Sequence, residues 1–266
     1  MANDIAVMFT AYNDGQTLDQ LIPQVREVTD NKVDICVVND GSTDDTSIIV
    51  AKHGCRSVDL PKNQGVGAAY KAGFLALLEA DKYDYVIKID ADGQHDSSYI
   101  PKVIHYLKVG FEPVVCSRFH PSTVHDGTPL DRVILNDCFA GHLARRTSWQ
   151  ITDARSGFFG LSTAMLRIIT PQLITQRYGI PMEVMIRIWA NNPRSRHLEI
   201  AHPSIYQNHG NVRRREQYQT EDVDAKLQRF IEAYRALIAV YEDMGVSADD
   251  LIESLNVGFP KRFIKK

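Results

Sequence analysis

Two aspartates separated by a single residue, Asp90 and Asp92, are the most informative pair in the sequence. They directly follow the apolar run 85–89, and Gly93 comes immediately after them. A glycine turn at a strand end can bring both carboxylates toward one point. Carboxylate oxygens arranged in this way suit Mg²⁺ or Mn²⁺, with diphosphate oxygens completing the coordination shell. The pair therefore indicates a divalent metal site for a ligand that carries a diphosphate.

Polar loops follow two other apolar runs. In the loop 38–44, Asp40 could accept hydrogen bonds from a nucleobase or a ribose, or it could form an ordinary Asp-Gly turn. Residues 63–67 open a helix with two glycines, which let the backbone approach an anion at the helix N-terminus. The third glycine of the dinucleotide fingerprint is missing, so a Rossmann oxidoreductase is disfavoured.

The elements that carry these loops alternate between strand and helix. Short apolar runs predict strands at 5–10, 33–38, 55–60, 85–89 and 114–116. Helical spacing of apolar residues predicts helices at 17–28, 44–52, 66–80 and 98–109. This alternation predicts a parallel sheet covered by helices on both faces, with ligands bound at the carboxyl ends of its strands.

The second half of the chain is less regular. It predicts helices at 131–146 and 182–189 and strands at 157–161 and 197–206. The clearest amphipathic helix covers 222–244, and its apolar stripe predicts packing on the preceding domain or on a partner subunit. No repeat or linker is visible. We therefore expect an α/β catalytic domain over 1–212 and a C-terminal helical extension over 213–266.

The composition is that of an ordinary globular protein, with 266 residues, 44% hydrophobic residues and a net charge of −3. Such a charge gives no global positive field that would attract nucleic acid. The four cysteines form no CxxC pair, which favours reduced thiols over a zinc or redox site. The sequence shows no signal peptide and no apolar run of membrane-spanning length, which predicts a cytoplasmic protein with peripheral contact to the inner face of a membrane.

Taken in order, these segments resemble the motifs of family 2 glycosyltransferases with a GT-A fold. The motifs are Ala11-Tyr12-Asn13-Asp14, Val38-Asn39-Asp40-Gly41-Ser42-Thr43-Asp44, Asn63-Gln64-Gly65-Val66-Gly67, Asp90-Ala91-Asp92-Gly93-Gln94-His95-Asp96 and Ser117-Arg118. Two further segments, 152–158 and 181–184, make the chain most similar to the dolichol-phosphate mannosyltransferase branch. The resemblance covers about residues 4–206 and implies a mostly parallel nucleotide-binding sheet flanked by helices.

The resemblance also implies roles for individual residues. Those implied to hold the nucleotide are Thr10, Tyr12, Asp14, Asp40, Asn63, Gly67 and Asp90. Those implied to bind Mg²⁺ or Mn²⁺ are Asp90, Asp92 and Gln94. The candidates for catalysis are Asp92, Arg118, Asp153 and Glu183. The candidates for binding an acceptor or its phosphate are Arg132, Arg155, Ser156 and Arg213, the last being the start of a basic run.

The implied reaction moves a hexose from a GDP- or UDP-linked sugar by in-line displacement, with inversion at the anomeric carbon. The favoured acceptor is a polyprenyl phosphate, which is ionised near pH 7 and needs no strong base. A hydroxyl of a saccharide, a protein or a modified DNA base would need a carboxylate as base, and Asp153 and Glu183 are the candidates. Phe159 stands where the branch usually has an arginine on the acceptor side, so both acceptor classes stay open.

Two other functional classes are compatible with parts of the sequence. A non-catalytic module that senses nucleotide sugars would share the fold, although both metal carboxylates and Arg118 are present. A nucleotidyltransferase ranks low because the loop 11–15 is acidic rather than basic. The basic segments 213–215 and 261–266 could contact anionic lipid or an acceptor phosphate, and nucleic acid only as an acceptor. The long C-terminal helix makes a homodimer a reasonable expectation.

Overall fold

The computed structural model of the chain describes residues 3–123, 128–203 and 222–247. Within these residues the strands are β1 (Ile5–Ala11), β2 (Asp34–Asn39), β3 (Arg56–Asp59), β4 (Tyr85–Asp90), β5 (Val114–Ser117), β6 (Phe159–Ser162) and β7 (Leu198–Ala201). The helices are α1 (Gly15–Val28), α2 (Thr46–Lys52), α3 (Val66–Glu79), α4 (Ile100–Lys108), α5 (Leu130–Thr147), α6 (Thr163–Ile169), α7 (Ile180–Asn191) and α8 (Val223–Asp243). Short 3₁₀ turns cover Ser97–Tyr99 and Thr170–Gln172.

The described strands form one sheet in the order β3-β2-β1-β4-β6-β5-β7. Every neighbouring pair is parallel except those of β6, which runs antiparallel to both β4 and β5. The expected mostly parallel sheet with helices on both faces is therefore confirmed.

Both faces of the central strands β1, β2 and β4 are buried, which explains why these strands read as continuous apolar runs. In β1, Ala6 and Met8 join the core beneath α3, α7 and α8, while Val7 and Phe9 join the core beneath α1 and α4. Alternate side chains thus enter opposite layers, as the pleat of a strand requires. The carboxyl ends of these strands are thereby held in fixed register.

The structure differs from the sequence-based prediction mainly in the second half of the chain. Helix α6 was not predicted, because it is short and begins directly after β6 without a loop. The Ser162 hydroxyl caps it by accepting the Met165 N–H at 3.1 Å. The strand expected over 197–206 is observed as Leu198–Ala201, and residues from 204 lie outside the described part.

The C-terminal helix α8 packs on the same chain. Ala233, Leu237, Val240 and Tyr241 are buried in the core that also contains residues of α3 and α7. The predicted boundary at 212/213 lies outside the described residues, so the division into two units stays a prediction. Across the residues that the structure describes, every helix is too short or too polar to cross a bilayer.

A buried histidine between α5 and α8 makes stability depend on pH. The ring of His142 is 1% exposed, and its Nε2 lies 3.0 Å from the Tyr241 hydroxyl. Burial, reinforced by Arg145 and Arg146, lowers the pKa of His142 to about 4. In the unfolded chain the pKa is near the ordinary value, so the unfolded state binds the additional proton as the pH falls.

We therefore expect His142 to remove about 2 kcal/mol from the free energy of unfolding between pH 7 and pH 5. Urea unfolding at both pH values would measure this change in the wild type and in His142→Gln. The pH dependence should be shallower in the variant, and His105→Gln, on the exposed face of α4, is the control. Equal slopes for His142→Gln and the wild type would contradict the assignment.

Candidate active site

A cavity of about 620 Å³ opens at the carboxyl edge of the sheet. The strand register explains its position, because Thr10 of β1 pairs with Asp90 of β4 and Ala11 pairs with Asn39 of β2. The sequence-predicted residues that line it are Thr10, Tyr12, Asp40, Asn63, Asp90, Asp92, Gln94, Arg118, Arg132 and Arg155. The loops selected from the sequence therefore converge on one concave site, as expected for a sheet of this class.

Asp90, Asp92 and Gln94 form what we call the carboxylate cluster. Asp92 and Gln94 are buried, and the Asp92 Oδ1 accepts the Gln94 N–H at 3.0 Å. The Thr10 hydroxyl donates to the Asp90 Oδ1 at 3.4 Å. These contacts hold the turn that follows β4 so that all three side chains face the cavity.

A buried lysine compensates the charge of Asp90. The Lys88 side chain is fully buried, forms an ion pair with the Asp90 Oδ1, and lies 4.3 Å from the centre of the Tyr70 ring. The His95 Nε2 lies 3.5 Å from the other oxygen, Oδ2. Burial raises the pKa of Asp90, but the Lys88 ammonium more than offsets this and the pKa falls well below its ordinary value. Asp90 is therefore ionised at every physiological pH.

The carboxylate cluster suits a divalent cation that shares its coordination with a ligand. In the described part of the chain, no group of three or more histidine, cysteine or acidic side chains forms a complete metal cage. Two carboxylates and an amide oxygen supply hard donors, and Mg²⁺ characteristically binds one or two carboxylates together with substrate phosphates. The donor set thus fits Mg²⁺ or Mn²⁺ held partly by a diphosphate.

Gly157 lies directly against the Asp90 carboxylate of this cluster. A Cβ atom at Gly157 would lie 1.9 Å from the Asp90 Oδ2, so alanine there must displace the carboxylate. We expect Gly157→Ala to weaken metal-dependent nucleotide binding roughly tenfold to a hundredfold, the scale of an overpacked contact. Calorimetric titration with a nucleoside diphosphate and Mn²⁺ measures this. Gly141→Ala, where the new Cβ meets only an ordinary 3.4 Å contact, is the control, and unaltered binding in Gly157→Ala would refute the prediction.

Asp40 lies in the cavity wall, but its carboxylate also holds the neighbouring loop. Its two oxygens accept the N–H groups of Gln64 and Gly65 at 2.7 and 2.9 Å. Gly67 is outside the cavity lining, and its N–H donates to the Gln176 carbonyl at 2.8 Å. The N-terminus of α3 is thus occupied by residues 175–176 of the chain itself. Asp14, also outside the lining, is buried and accepts the Tyr12 N–H at 3.0 Å.

Five arginines line the cavity from five separate segments, and we call them the arginine cluster. They are Arg118, Arg132, Arg155, Arg177 and Arg229. Arg118 follows β5 and binds the buried Asp153, with its Nε and Nη2 donating at 2.8 and 3.0 Å. Permanently charged, planar donors of this kind suit phosphate groups.

Neither predicted base lines the cavity. Asp153 is fully buried beneath Arg118, and Glu183 is 1% exposed and accepts the N–H groups of Ile174 and Thr175. Burial raises the pKa of Asp153, but Arg118 outweighs this and the pKa is lowered from its ordinary value. Ser156 is also buried, with its hydroxyl donating to the Cys116 carbonyl at 2.7 Å, and Arg213 lies outside the described residues.

Sequence reasoning missed several residues of the cavity wall. Arg177, Tyr178 and Arg229 line it, although no motif marks them. Asp131, at the start of α5, adds a further carboxylate. Phe159 stands where the branch usually has an arginine, and its ring centre lies 6.0 Å from the ring centre of Tyr70 in the core. The arginine cluster therefore draws its charges from other positions.

The family follows from comparison with known proteins. The family model described as "Glycosyl transferase family 2" matches residues 6–169, which is more than half of the chain. The chain belongs to glycosyltransferase family 2. The matched range contains the carboxylate cluster and Arg118, so these residues lie in the part of the site that the family shares.

Several curated relatives have named activities. The chain is 25% identical over 190 residues to the dolichol-phosphate mannosyltransferase of Pyrococcus furiosus, covering 69% of this chain and 52% of that one. It is 25% identical over 191 residues to the undecaprenyl-phosphate mannosyltransferase of Micrococcus luteus, covering 69% and 76%. The chain thus spans about half of the Pyrococcus relative. The dolichol-phosphate mannosyltransferase-like branch suggested by the sequence is supported.

Solved structures show the same GT-A fold. Glucosyl-3-phosphoglycerate synthase from Mycobacterium tuberculosis, in complex with Mn²⁺, UDP and glucosyl-3-phosphoglycerate, matches with a TM-score of 0.67 at 18% identity. The match covers 92% of this chain and 81% of that one. A second structure of that enzyme, in complex with Mn²⁺, UDP and phosphoglyceric acid, matches with a TM-score of 0.65 at 18% identity, covering 92% and 80%. At this level of identity the likeness establishes the fold alone.

Proposed function

We propose that the protein is a metal-dependent, inverting glycosyltransferase that moves a hexose from a GDP- or UDP-linked sugar to a phosphate-bearing acceptor, with polyprenyl phosphate favoured. The observation that carries this proposal is the single cavity shared by the carboxylate cluster and the arginine cluster. One cluster suits a cation bound to a diphosphate, and the other suits phosphate groups. Relatives at 25% identity act on dolichol phosphate and undecaprenyl phosphate, which supports the favoured acceptor.

The carboxylate cluster and Arg118 have different roles in the proposed reaction. Asp90, Asp92 and Gln94 would hold Mg²⁺ or Mn²⁺, which when bound offsets the charge of the diphosphate. The acceptor oxygen attacks the anomeric carbon, and the bond from that carbon to the diphosphate oxygen breaks. The nucleoside diphosphate leaves with the electron pair. Arg118, fixed by Asp153, stabilises the negative charge that develops on the leaving group.

The positions of Asp153 and Glu183 favour a phosphate acceptor. A phosphate is already ionised near neutral pH, so the absence of Asp153 and Glu183 from the cavity wall is consistent with it. A hydroxyl acceptor needs a base in the cavity, and Asp131 favours that second candidate because its carboxylate lines the wall. Glucosyl-3-phosphoglycerate synthase, which shares the fold, is crystallised with a non-lipid acceptor, phosphoglyceric acid.

A thermal-shift screen with UDP, GDP, CDP and dTDP sugars, each with and without Mn²⁺, would identify the donor. Transfer of radiolabelled sugar to detergent-dispersed polyprenyl phosphate would then be compared with transfer to 3-phosphoglycerate and to free sugars. A lipid-linked product supports the favoured acceptor, and a product with free sugars alone supports the hydroxyl acceptor. Metal-dependent binding without transfer or donor hydrolysis would instead indicate a non-catalytic binding module.

Peripheral membrane contact and a homodimer remain predictions. Vesicle sedimentation would test the first, and light scattering would test the second.

A further inference from the structure

The loop between the 3₁₀ turn at Thr170–Gln172 and α7 carries two side chains into the cavity wall. Arg177 and Tyr178 are both exposed and both line the cavity. Among the described residues, no carboxylate pairs with the Arg177 guanidinium. Within the described part of the chain, this arginine therefore presents at the cavity a positive charge that no carboxylate pairs with.

Helix α3 fixes one side of this loop. The N–H groups of Gly67 and Ala68 both point to the Gln176 carbonyl, at 2.8 and 3.4 Å, and the Lys71 ammonium donates to the Leu173 carbonyl at 2.8 Å. A Cβ atom at Gly67 would lie 2.1 Å from the Thr175 carbonyl oxygen. Only glycine allows the loop to approach α3 so closely.

Helix α7 fixes the other side through Glu183. Its Oε1 accepts the Ile174 N–H at 3.0 Å and its Oε2 accepts the Thr175 N–H at 2.8 Å. Arg187, one turn later, lies 3.4 Å from the Oε1 and also forms an ion pair with Asp243 at the end of α8. The carboxylate thus binds the loop directly, is linked to α8 through Arg187, and is itself outside the cavity lining.

We propose that Glu183 is a positioning residue that holds the loop 174–178, so that Arg177 binds a phosphate group of the ligand. The proposal rests on the proposed function only in requiring that the cavity take a phosphate-bearing ligand. Charge-assisted hydrogen bonds to the consecutive N–H groups of Ile174 and Thr175 restrain the backbone three and two residues before Arg177. The phosphate belongs to the donor diphosphate or to the acceptor, and these two sources are separable by experiment.

The first test removes the guanidinium. Arg177→Ala should weaken phosphate-ligand binding roughly tenfold or more, as expected for loss of a hydrogen bond to a charged group. Titration calorimetry with UDP and GDP in the presence of Mn²⁺ reports the donor side, and the KM for detergent-dispersed polyprenyl phosphate reports the acceptor side. Arg194→Ala, an exposed arginine outside the cavity lining, is the matched control. Unchanged affinity for donor nucleotide and acceptor alike would overturn the proposal.

The second test asks whether Glu183 acts through Arg177. Glu183→Gln should weaken the same binding step, and the double variant with Arg177→Ala should be no weaker than Arg177→Ala alone. Amide exchange at Ile174 and Thr175 should accelerate more than tenfold in Glu183→Gln. Glu112→Gln, which alters a carboxylate that accepts the Ser162 N–H outside the cavity lining, is the control.

Two results would overturn this role. One is a loss of kcat in Glu183→Gln with unchanged binding and with loss of the acidic limb of the pH profile, which would identify a base. The other is a double variant whose loss of ligand affinity equals the product of the losses in the two single variants. Nucleotide titration and amide exchange need no turnover. If the wild type binds UDP or GDP but transfers no sugar, the proposed function fails, while nucleotide titration still decides whether Arg177 binds the donor diphosphate and amide exchange still decides whether Glu183 holds the loop.

Discussion

Replacing Asp92 with asparagine is expected to lower sugar transfer by roughly 100- to 1,000-fold, the scale on which loss of one preorganised electrostatic contact acts. Asp92 is 5% exposed, lines the cavity and accepts the Gln94 N–H. Asparagine preserves the size of the side chain and one oxygen, but it removes the negative charge that a divalent cation requires. The turn after β4 should therefore keep its shape while losing its affinity for metal.

The measurement pairs transfer rates over a Mn²⁺ titration with thermal unfolding in the presence of the donor nucleotide. In Asp92→Asn the metal-dependent rise in Tm should disappear, while the Tm without ligand stays near that of the wild type. Asp30→Asn is the matched control, because that carboxylate is exposed on the surface and contacts only Lys32 in the described structure. Full activity of Asp92→Asn at a low Mn²⁺ concentration would show that Asp92 is not a metal ligand.

Much of the fold could be predicted because its signals are local. The apolar runs of β1, β2 and β4 are buried on both faces, so their composition alone marks them as strands. The polar residues that follow them had to meet at one edge once the sheet was parallel. The carboxylate cluster was predictable for the same reason, since it lies on a single turn after one strand.

The antiparallel strand β6 and the roles of the loop carboxylates could not be predicted in this way. The sequence pattern of a four-residue strand is too short to predict its direction or its neighbours in the sheet. The neighbours of β6 are β4 and β5, which lie much earlier in the chain. Glu183 sits in a motif, but whether its carboxylate meets the cavity or the N–H groups of Ile174 and Thr175 depends on tertiary packing.

The arginine cluster could not be predicted from the sequence either. Arg177 and Arg229 stand in segments without any motif, and only folding brings them beside Arg118 in one cavity. The glycines at 65 and 67 predicted the close approach of an anion to the start of α3, which was only a weak signal for Arg177. The approaching group is the chain's own loop, with the Gln176 carbonyl as acceptor, and this loop carries Arg177.

The ion pair beneath the cavity should give the largest effect on stability. Asp153 is fully buried and receives the guanidinium of Arg118 on both oxygens, and it also accepts the backbone N–H groups of Arg118 and Arg155 at 3.1 Å each. Asp153→Asn leaves a mostly buried guanidinium without this counter-charge. We expect a loss of about 3–5 kcal/mol in the free energy of unfolding, measured by urea unfolding.

The double variant distinguishes a structural ion pair from a catalytic base. Removing the unpaired charge as well, in Asp153→Asn with Arg118→Leu, should recover part of the stability lost in Asp153→Asn alone. Transfer should stay low in Asp153→Asn, in Arg118→Leu and in the double variant, because each leaves the leaving group without a correctly placed guanidinium. If Asp153→Asn instead kept the wild-type stability and lost only the acidic limb of the pH profile for kcat, Asp153 would be the base of a hydroxyl-directed transferase.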